Sequence, residues 1–507
     1  MSGNNAFSIS RQAFVGKLSV EAVSFGLQGL IEVAALVIFA RLVSRQAFGV
    51  FAIASGIRFM ALKLSEAGVG AAVVQRNDAD EGFCGTAFWL STVLALIAGG
   101  IVFLLAPIVA RFNGDSAVRS VVRATSVTFL FNGLCAVPRS VLVRRLAFGK
   151  LMACEVIPRA VGTLALGVAL ARLGYGVWAL VWGVIAVGLL RTVFLFLLSG
   201  FVPRITFSFD SLKRLFNFSL GISLARVFHS IGFYADKFVL GHFMSVTILG
   251  GISRMLELVR MLALYYGHVL DTVSFPVMSR FQDDTARVGR TYERLVDSVC
   301  GISPFVIVAS IIFARDIVRI VLGSEWLDLT PVFQAASGMF LFLLVAGVND
   351  SLLKALGRVY LIAVLKVIAA VSCIGAILLS YRHGQIAVTW GIVLGNALPA
   401  CVGIVVCSRL LGQNPWAYLL HALRTALVMA LLLIVLERLS DSLRWSMTLP
   451  YATHLVLRTT LSFLAVSILI ILFPFILGNT LRELLVVIFQ KYIGRAHYLA
   501  GRFAPRT

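Results

Sequence analysis

The sequence predicts an all-α polytopic membrane protein of about 14 transmembrane helices, at roughly 20 apolar residues per span. Three observations predict it. Of 507 residues, 60% are hydrophobic and 13% charged, against about 45–50% and about 25% in soluble domains. The mean hydropathy is +0.96, and the shortage of charge extends along the whole chain. The apolar stretches are long and continuous, as in Ala160 to Ala171 and Thr460 to Leu477, whereas barrel strands are short and alternating.

Taken in order, the spans fall near 18–40, 48–66, 84–110, 120–138, 151–172, 175–199 and 213–235. They continue near 247–275, 296–321, 330–353, 359–381, 385–408, 417–437 and 456–477. The first begins near Lys17, exceeds a signal-peptide core in length and carries Glu21 and Glu32, so it reads as a retained helix. The fourth, seventh and eighth carry several polar groups. The longest polar connections are Ser279 to Arg294 and Glu437 to His454, too short for an aqueous catalytic domain. In the tail, Leu481, Leu484, Leu485, Ile488 and Tyr492 share one helical face, the pattern of a basic amphipathic helix lying on a membrane.

Loops after even-numbered spans are rich in cations: Arg139, Arg144, Arg145 and Lys150, then Arg204, Lys213 and Arg214, then Arg280, Arg287, Arg290 and Arg294. Loops after odd-numbered spans are poorer, although Arg41, Arg45, Arg111 and Arg438 are exceptions. Positive-inside counting therefore places both termini in the cytoplasm. The net charge of +21 is distributed between apolar runs with no basic tract, which argues against nucleic acid as a partner. The seven cysteines are scattered, odd in number and without a CxxC pair, so they form no disulfide framework. No P-loop, GxSxG or HExxH motif occurs, and no His/Cys/carboxylate cluster has metal spacing. The expectation is a protein that performs no covalent chemistry.

The chain carries traces of an internal duplication. Leu42-Val-Ser-Arg-Gln-Ala-Phe48-Gly49, after the first span, resembles Phe243-Met-Ser-Val-Thr-Ile-Leu249-Gly250, after the seventh. Val137-Pro-Arg-Ser-Val-Leu142 resembles Val348-Asn-Asp-Ser-Leu-Leu353. The offsets, roughly 200 to 210 residues, drift as small insertions would make them. A six-helix unit returns to its starting side, so its copy keeps the same orientation and the two enclose a central cavity. Two further helices fall outside the repeat.

A charge at bilayer depth is costly, about 2.5–3.5 kcal/mol on insertion scales, and marks a candidate site. The candidates gather in spans one, two, seven and eight: Glu21, Glu32, Arg58, Lys63, Glu66, Arg226, His229, Asp236, Arg254, Glu257, Arg260 and Asp271. Arg254, Glu257 and Arg260 step by three along one helical face, and Arg58 falls one position from Arg260 in the repeat register. Two readings stay open. Glu257 either neutralises two buried arginines, or the arginines serve an anionic cargo. Arg58, Lys63 and Asp271 also suit membrane edges, where long side chains snorkel.

Phe39-Ala-Arg-Leu-Val-Ser-Arg-Gln-Ala-Phe48-Gly49 and Gly68-Val-Gly-Ala-Ala-Val-Val-Gln75 resemble landmarks of the polysaccharide-exporting flippases, within the multidrug/oligosaccharidyl-lipid/polysaccharide (MOP) superfamily. Phe216-Asn-Phe-Ser219, Tyr234-Ala-Asp236-Lys-Phe-Val-Leu-Gly241, Phe275-Pro-Val-Met-Ser279 and Leu322-Gly-Ser-Glu-Trp326 follow in the family's order. After Leu249-Gly250 this chain has Gly251-Ile-Ser-Arg254 where relatives often place Tyr. The resemblance implies a MATE-like fold: two six-helix lobes over 1–199 and 200–411, extra helices over 412–478, and a tail over 479–507. It implies transfer of an undecaprenyl-diphosphate oligosaccharide, which membrane lipids surround and a polysaccharide polymerase and export machinery would take onward. No resident cofactor is implied, only a coupling H+ or Na+. Arg58, Lys63, Arg226, Arg254 and Arg260 are then the substrate candidates, and Glu257, with Glu32 and Asp236, the coupling candidates. The alternatives are a cation-coupled multidrug antiporter of the same superfamily, which would want acidic cavity residues, and a polysaccharide polymerase or ligase, which would want a large external loop.

Overall fold

The computed structural model describes residues 11–65, 69, 70, 73, 81–204, 236–282, 284–416, 418 and 420. The seventh predicted span, nearly all of the thirteenth, the fourteenth and the tail lie outside them. The described residues are helical nearly throughout. The helices are α1 (Arg11–Leu42), α2 (Arg45–Ser65), α3 (Glu81–Asn113), α4 (Ser116–Arg144), α5 (Phe148–Arg172), α6 (Val177–Ser199) and α7 (Val246–Arg280). They continue as α8 (Thr285–Ile312), α9 (Ala314–Val321), α10 (Thr330–Ser337), α11 (Met339–Ala355), α12 (Val359–Ser380) and α13 (Gly384–Leu410).

Among the described residues, eight helical stretches are long and apolar enough to cross a membrane. This is an all-α polytopic membrane protein. α7 is not among the eight, because Arg254, Glu257 and Arg260 fall together within its apolar stretch. The helix bearing those three candidates is thus poorly suited to lipid on every side. Among the described residues, helices stand where the sequence places spans, though the ninth is broken at Phe313 and one start is corrected. The polar stretch that reads as a loop through Arg294 is already helix from Thr285. Asp284 caps α8 by accepting the Arg287 amide at 3.0 Å. A helix start is set by such a side-chain acceptor rather than by hydropathy.

The chain divides into two compact units. One holds residues up to Leu256 with Val318–Leu329 and Lys366–Ile392; the other holds Glu257–Ile317, Thr330–Leu365 and the chain from Val393. In the first unit, Phe83, Ala87, Phe88 and Val137 form one buried cluster, and Cys135, Leu142, Leu151, Cys154 and Leu195 another. Ile97, Ile101, Leu104 and Ile108 form an outward apolar stripe on α3, the face a helix gives to lipid. Lipid removes the hydrophobic drive between helices, so small residues and interhelical hydrogen bonds must hold them. At α3–α4, Gly133 packs against Ala95, where a Cβ would come within 2.6 Å. Ser91 Oγ lies 3.0 Å from the Gly133 carbonyl. Along α5, Pro158 withholds an amide and the chain runs in π-helical form over Ala160–Gly167, as a lost backbone bond permits.

The second unit is built on a buried polar relay. Tyr292 of α8 donates to Asn349 Oδ1 of α11 at 2.7 Å, and Asn349 Nδ2 donates to the Ala400 carbonyl of α13 at 3.2 Å. Each buried polar atom of that asparagine is therefore used.

Candidate functional site

The two copies of the duplicated motif adopt the same backbone. Ser44 separates α1 from α2, and its Oγ accepts the Ala47 amide at 3.3 Å. Ser245 precedes α7, and its Oγ accepts the Ile248 amide at 3.4 Å. The helices that follow cross at their glycines. A Cβ on Gly49 would lie 1.8 Å from the Val246 carbonyl oxygen, and one on Gly250 would lie 2.0 Å from that of Arg45. Only glycine permits this approach, and it permits it reciprocally.

A tether closes over the same junction, within the same compact unit. Arg45 binds both carboxylate oxygens of Asp328, at 2.8 and 2.6 Å, and also donates to the Glu325 carbonyl. Trp326, 1% exposed, donates from Nε1 to the Ala40 carbonyl at 3.0 Å and meets Phe48 edge-on at 5.8 Å. Arg41 donates to the Ile320 carbonyl at 2.7 Å. The landmark Leu322-Gly-Ser-Glu-Trp326 is thereby seated on the end of α1.

Of the substrate candidates, Arg254 lies at this junction, its guanidinium 3.8 Å from the centroid of the Phe48 ring. Phe48 stands between a cation and an indole, a geometry that favours both contacts. Arg254, Glu257 and Arg260 are all half-buried on α7, flanked by buried Met255, Leu256 and Val259. Arg58 is half-buried on α2, over the ring of Phe59 at 4.3 Å. Lys63 lies further along α2. Arg226 is outside the described residues.

The coupling candidates separate. Glu32 of α1 pairs with Arg159 of α5. Asp236 is 2% exposed, and its Oδ1 accepts the Lys237 amide at 2.9 Å. Two other charge clusters form, and of their members only Asp271 stands among the sequence candidates. Glu155 binds Arg191 at 2.7 Å and Arg139 at 3.4 Å, joining α5, α6 and α4. Asp271 pairs with Ser351 and stands 3.7 Å from Lys354. Glu155 and Arg191 interrupt apolar runs, and that signal was available. Among the described residues, no group of three or more His, Cys, Asp or Glu could hold a metal ion.

Comparison with known proteins places this arrangement. A family described as "Polysaccharide biosynthesis protein" matches residues 38–331. The chain is 22% identical over 397 residues to the lipopolysaccharide biosynthesis protein WzxC of Escherichia coli strain K12, covering 76% of this chain and 79% of that protein. It is 27% identical over 250 residues to the succinoglycan biosynthesis transport protein ExoT of Rhizobium meliloti, covering 49% of each. In structure it resembles the lipid II flippase MurJ in an inward closed conformation, with a TM-score of 0.69 at 14% identity, over 89% of this chain and 98% of that one. It also resembles an inward-facing multidrug MATE transporter of the MOP superfamily, with a TM-score of 0.62 at 17% identity, over 76% and 94%. The fold is MATE-like, as the resemblance implies. With more than half of its length matched, this chain belongs to the polysaccharide biosynthesis protein family.

Proposed function

We propose that this protein is a flippase that carries a lipid-linked oligosaccharide across the bacterial inner membrane by alternating access. The family match across residues 38–331 carries the reading. The surplus of arginine over carboxylate on α2 and α7 supports it, because a diphosphate head forms charge-assisted, often bidentate bonds with guanidinium groups. Arg58, Lys63, Arg226, Arg254 and Arg260 are the proposed substrate contacts. Glu257 is the proposed coupling carboxylate, with Glu32 and Asp236 as further sites, and the driving ion is H+ or Na+. Something must bias the two states of the cycle differently, and a carboxylate that exchanges an arginine for a cation does so.

The finer architecture in this proposal is about 14 spans of roughly 20 residues, with lobes over 1–199 and 200–411, extra helices over 412–478 and a tail over 479–507. Both termini lie in the cytoplasm. A polysaccharide polymerase and export machinery receive the product. The drug-antiporter reading shares the fold, but a cationic drug would meet arginines where it needs carboxylates.

Reconstituted protein in vesicles tests the proposal. A fluorescent undecaprenyl-diphosphate oligosaccharide should cross to the opposite leaflet at a protein-dependent rate, while a cationic dye should not. Transport of the dye with no movement of the lipid would establish the antiporter instead.

A further inference from the structure

A small cavity lies between α7, α8 and α11, within one compact unit, and is lined by Asp271, Ser274, Leu295, Gly347 and Ser351 among others. Asp271 Oδ1 accepts from Ser351 Oγ, and Oδ2 stands 3.7 Å from Lys354 Nζ. Ser351 Oγ also lies 3.0 Å from the Gly347 carbonyl oxygen. A hydroxyl has one proton, so Ser351 serves the carboxylate or the carbonyl but not both at once. Ser274 is 4% exposed, and its Oγ is buried with no hydrogen-bond partner. It follows Asp271 by three positions on α7, which puts both on one face. A hydroxyl buried in this way is expensive and calls for an explanation.

The duplication shows what is particular to this place. In the first repeat, Ser140 Oγ lies 2.8 Å from the Ala136 carbonyl and 3.1 Å from the Gly70 carbonyl. The shared registers carry Ser140 onto Ser351, Ala136 onto Gly347 and Gly70 onto Asp271. The serines meet equivalent positions, but the first donates to the glycine's backbone carbonyl and the second to the aspartate's carboxylate. One carboxylate, two hydroxyls and a carbonyl make a set of hard oxygen donors with a single negative charge, the ligands that hard cations select.

We propose that Asp271, Ser274, Ser351 and the Gly347 carbonyl form a sodium site, in which the ion takes the place of the Lys354 ammonium at Asp271. Asp271 and Lys354 are each nearly half exposed and stand at the mouth, whereas Ser274 lies inside. Sodium and Lys354 compete for one carboxylate, so ion binding releases the ammonium to meet an anion. Under the flippase reading, on which this consequence alone rests, sodium and a diphosphate cargo strengthen each other's binding.

The test uses the full-length protein in nanodiscs without any lipid-linked sugar, unfolded thermally at constant ionic strength in NaCl, KCl or choline chloride. Sodium should raise Tm saturably, and potassium and choline should not. Asp271→Asn should weaken the apparent sodium affinity by roughly tenfold or more, since it removes the one anionic ligand. Ser274→Ala should also weaken it while leaving Tm in choline unchanged or higher. Lys354→Met should act in the opposite direction and tighten sodium binding. Identical Tm in the three salts, or an undiminished sodium response in Asp271→Asn or Ser274→Ala, would overturn the site. If Asp271→Asn does not fold, the opposite shifts of Ser274→Ala and Lys354→Met decide. A sodium response in protein that moves no lipid-linked sugar would leave the site standing and remove the flippase reading.

Discussion

Gly49 and Gly250 occupy equivalent positions in the two repeats, and each lies against the carbonyl that begins the other's helix. The gaps are too small for a methyl group: the Cβ of an alanine would meet backbone oxygen at 1.8 Å in one case and 2.0 Å in the other. No side chain can rotate out of the way, because the obstacle is main chain.

Gly49→Ala and Gly250→Ala should therefore each destabilise the protein by about 1–3 kcal/mol or more, the cost of overpacking a tight contact. Gly26→Ala, on the outward side of α1 with nothing within 4 Å of the added Cβ, should leave Tm unchanged or slightly raised. Thermal unfolding of the three variants in one detergent checks the contrast. Equal behaviour of all three would mean that the helices do not cross at their glycines.

The tether over this junction separates packing from charge. Asp328 is well exposed, and an exposed ion pair contributes about 0–1 kcal/mol. Asp328→Asn should thus cost little. Trp326 is buried, meets Phe48 edge-on and bonds the Ala40 carbonyl, so Trp326→Ala should cost about 3–5 kcal/mol. The measured order of Tm loss, large for tryptophan and small for aspartate, is the check.

The α7 arginines should be needed for transport. Arg254→Gln with Arg260→Gln should abolish polysaccharide export while the amount of protein in the membrane stays near wild type. Losing a hydrogen bond to a charged group costs about 1.5–3 kcal/mol each, at least tenfold per arginine in rate or affinity. Arg254 also covers Phe48, so its single variant should lower Tm as well as export. Arg260→Gln alone should lower export with the smaller effect on Tm. Normal export in the double variant would assign both arginines to packing.

Glu257→Gln keeps shape and hydrogen bonding but cannot ionise. If Glu257 couples transport to an ion, the stable Gln variant should export slowly and lose the wild-type response to collapse of the proton and sodium gradients. A stable variant that keeps that response would make Glu257 structural and shift coupling to Glu32 or Asp236. Glu32, already paired with Arg159, would need to break that pair. Asp236 is the more buried of the two.

What the sequence determined alone was the membrane class, the placement of most spans and the doubled Ser…Gly junction. The reason is local. Each span must satisfy its own backbone hydrogen bonds within lipid, so hydropathy and length mark it without reference to any partner. Ser44 and Ser245 likewise cap the helices they precede. Helix starts set by a side chain inside a polar stretch, such as Asp284 before α8, were less legible, because hydropathy does not register a cap.

Only the tertiary structure decided which charges meet. Glu32 finds Arg159, Arg45 finds Asp328, and Asp271 finds Ser351 and Lys354, all across long stretches of chain. Such choices depend on helix packing, which spacing along the chain does not disclose. Arg254 shows the same point: its spacing with Glu257 and Arg260 is visible along the chain, but its seat on Phe48 exists only because two glycines let α2 and α7 touch.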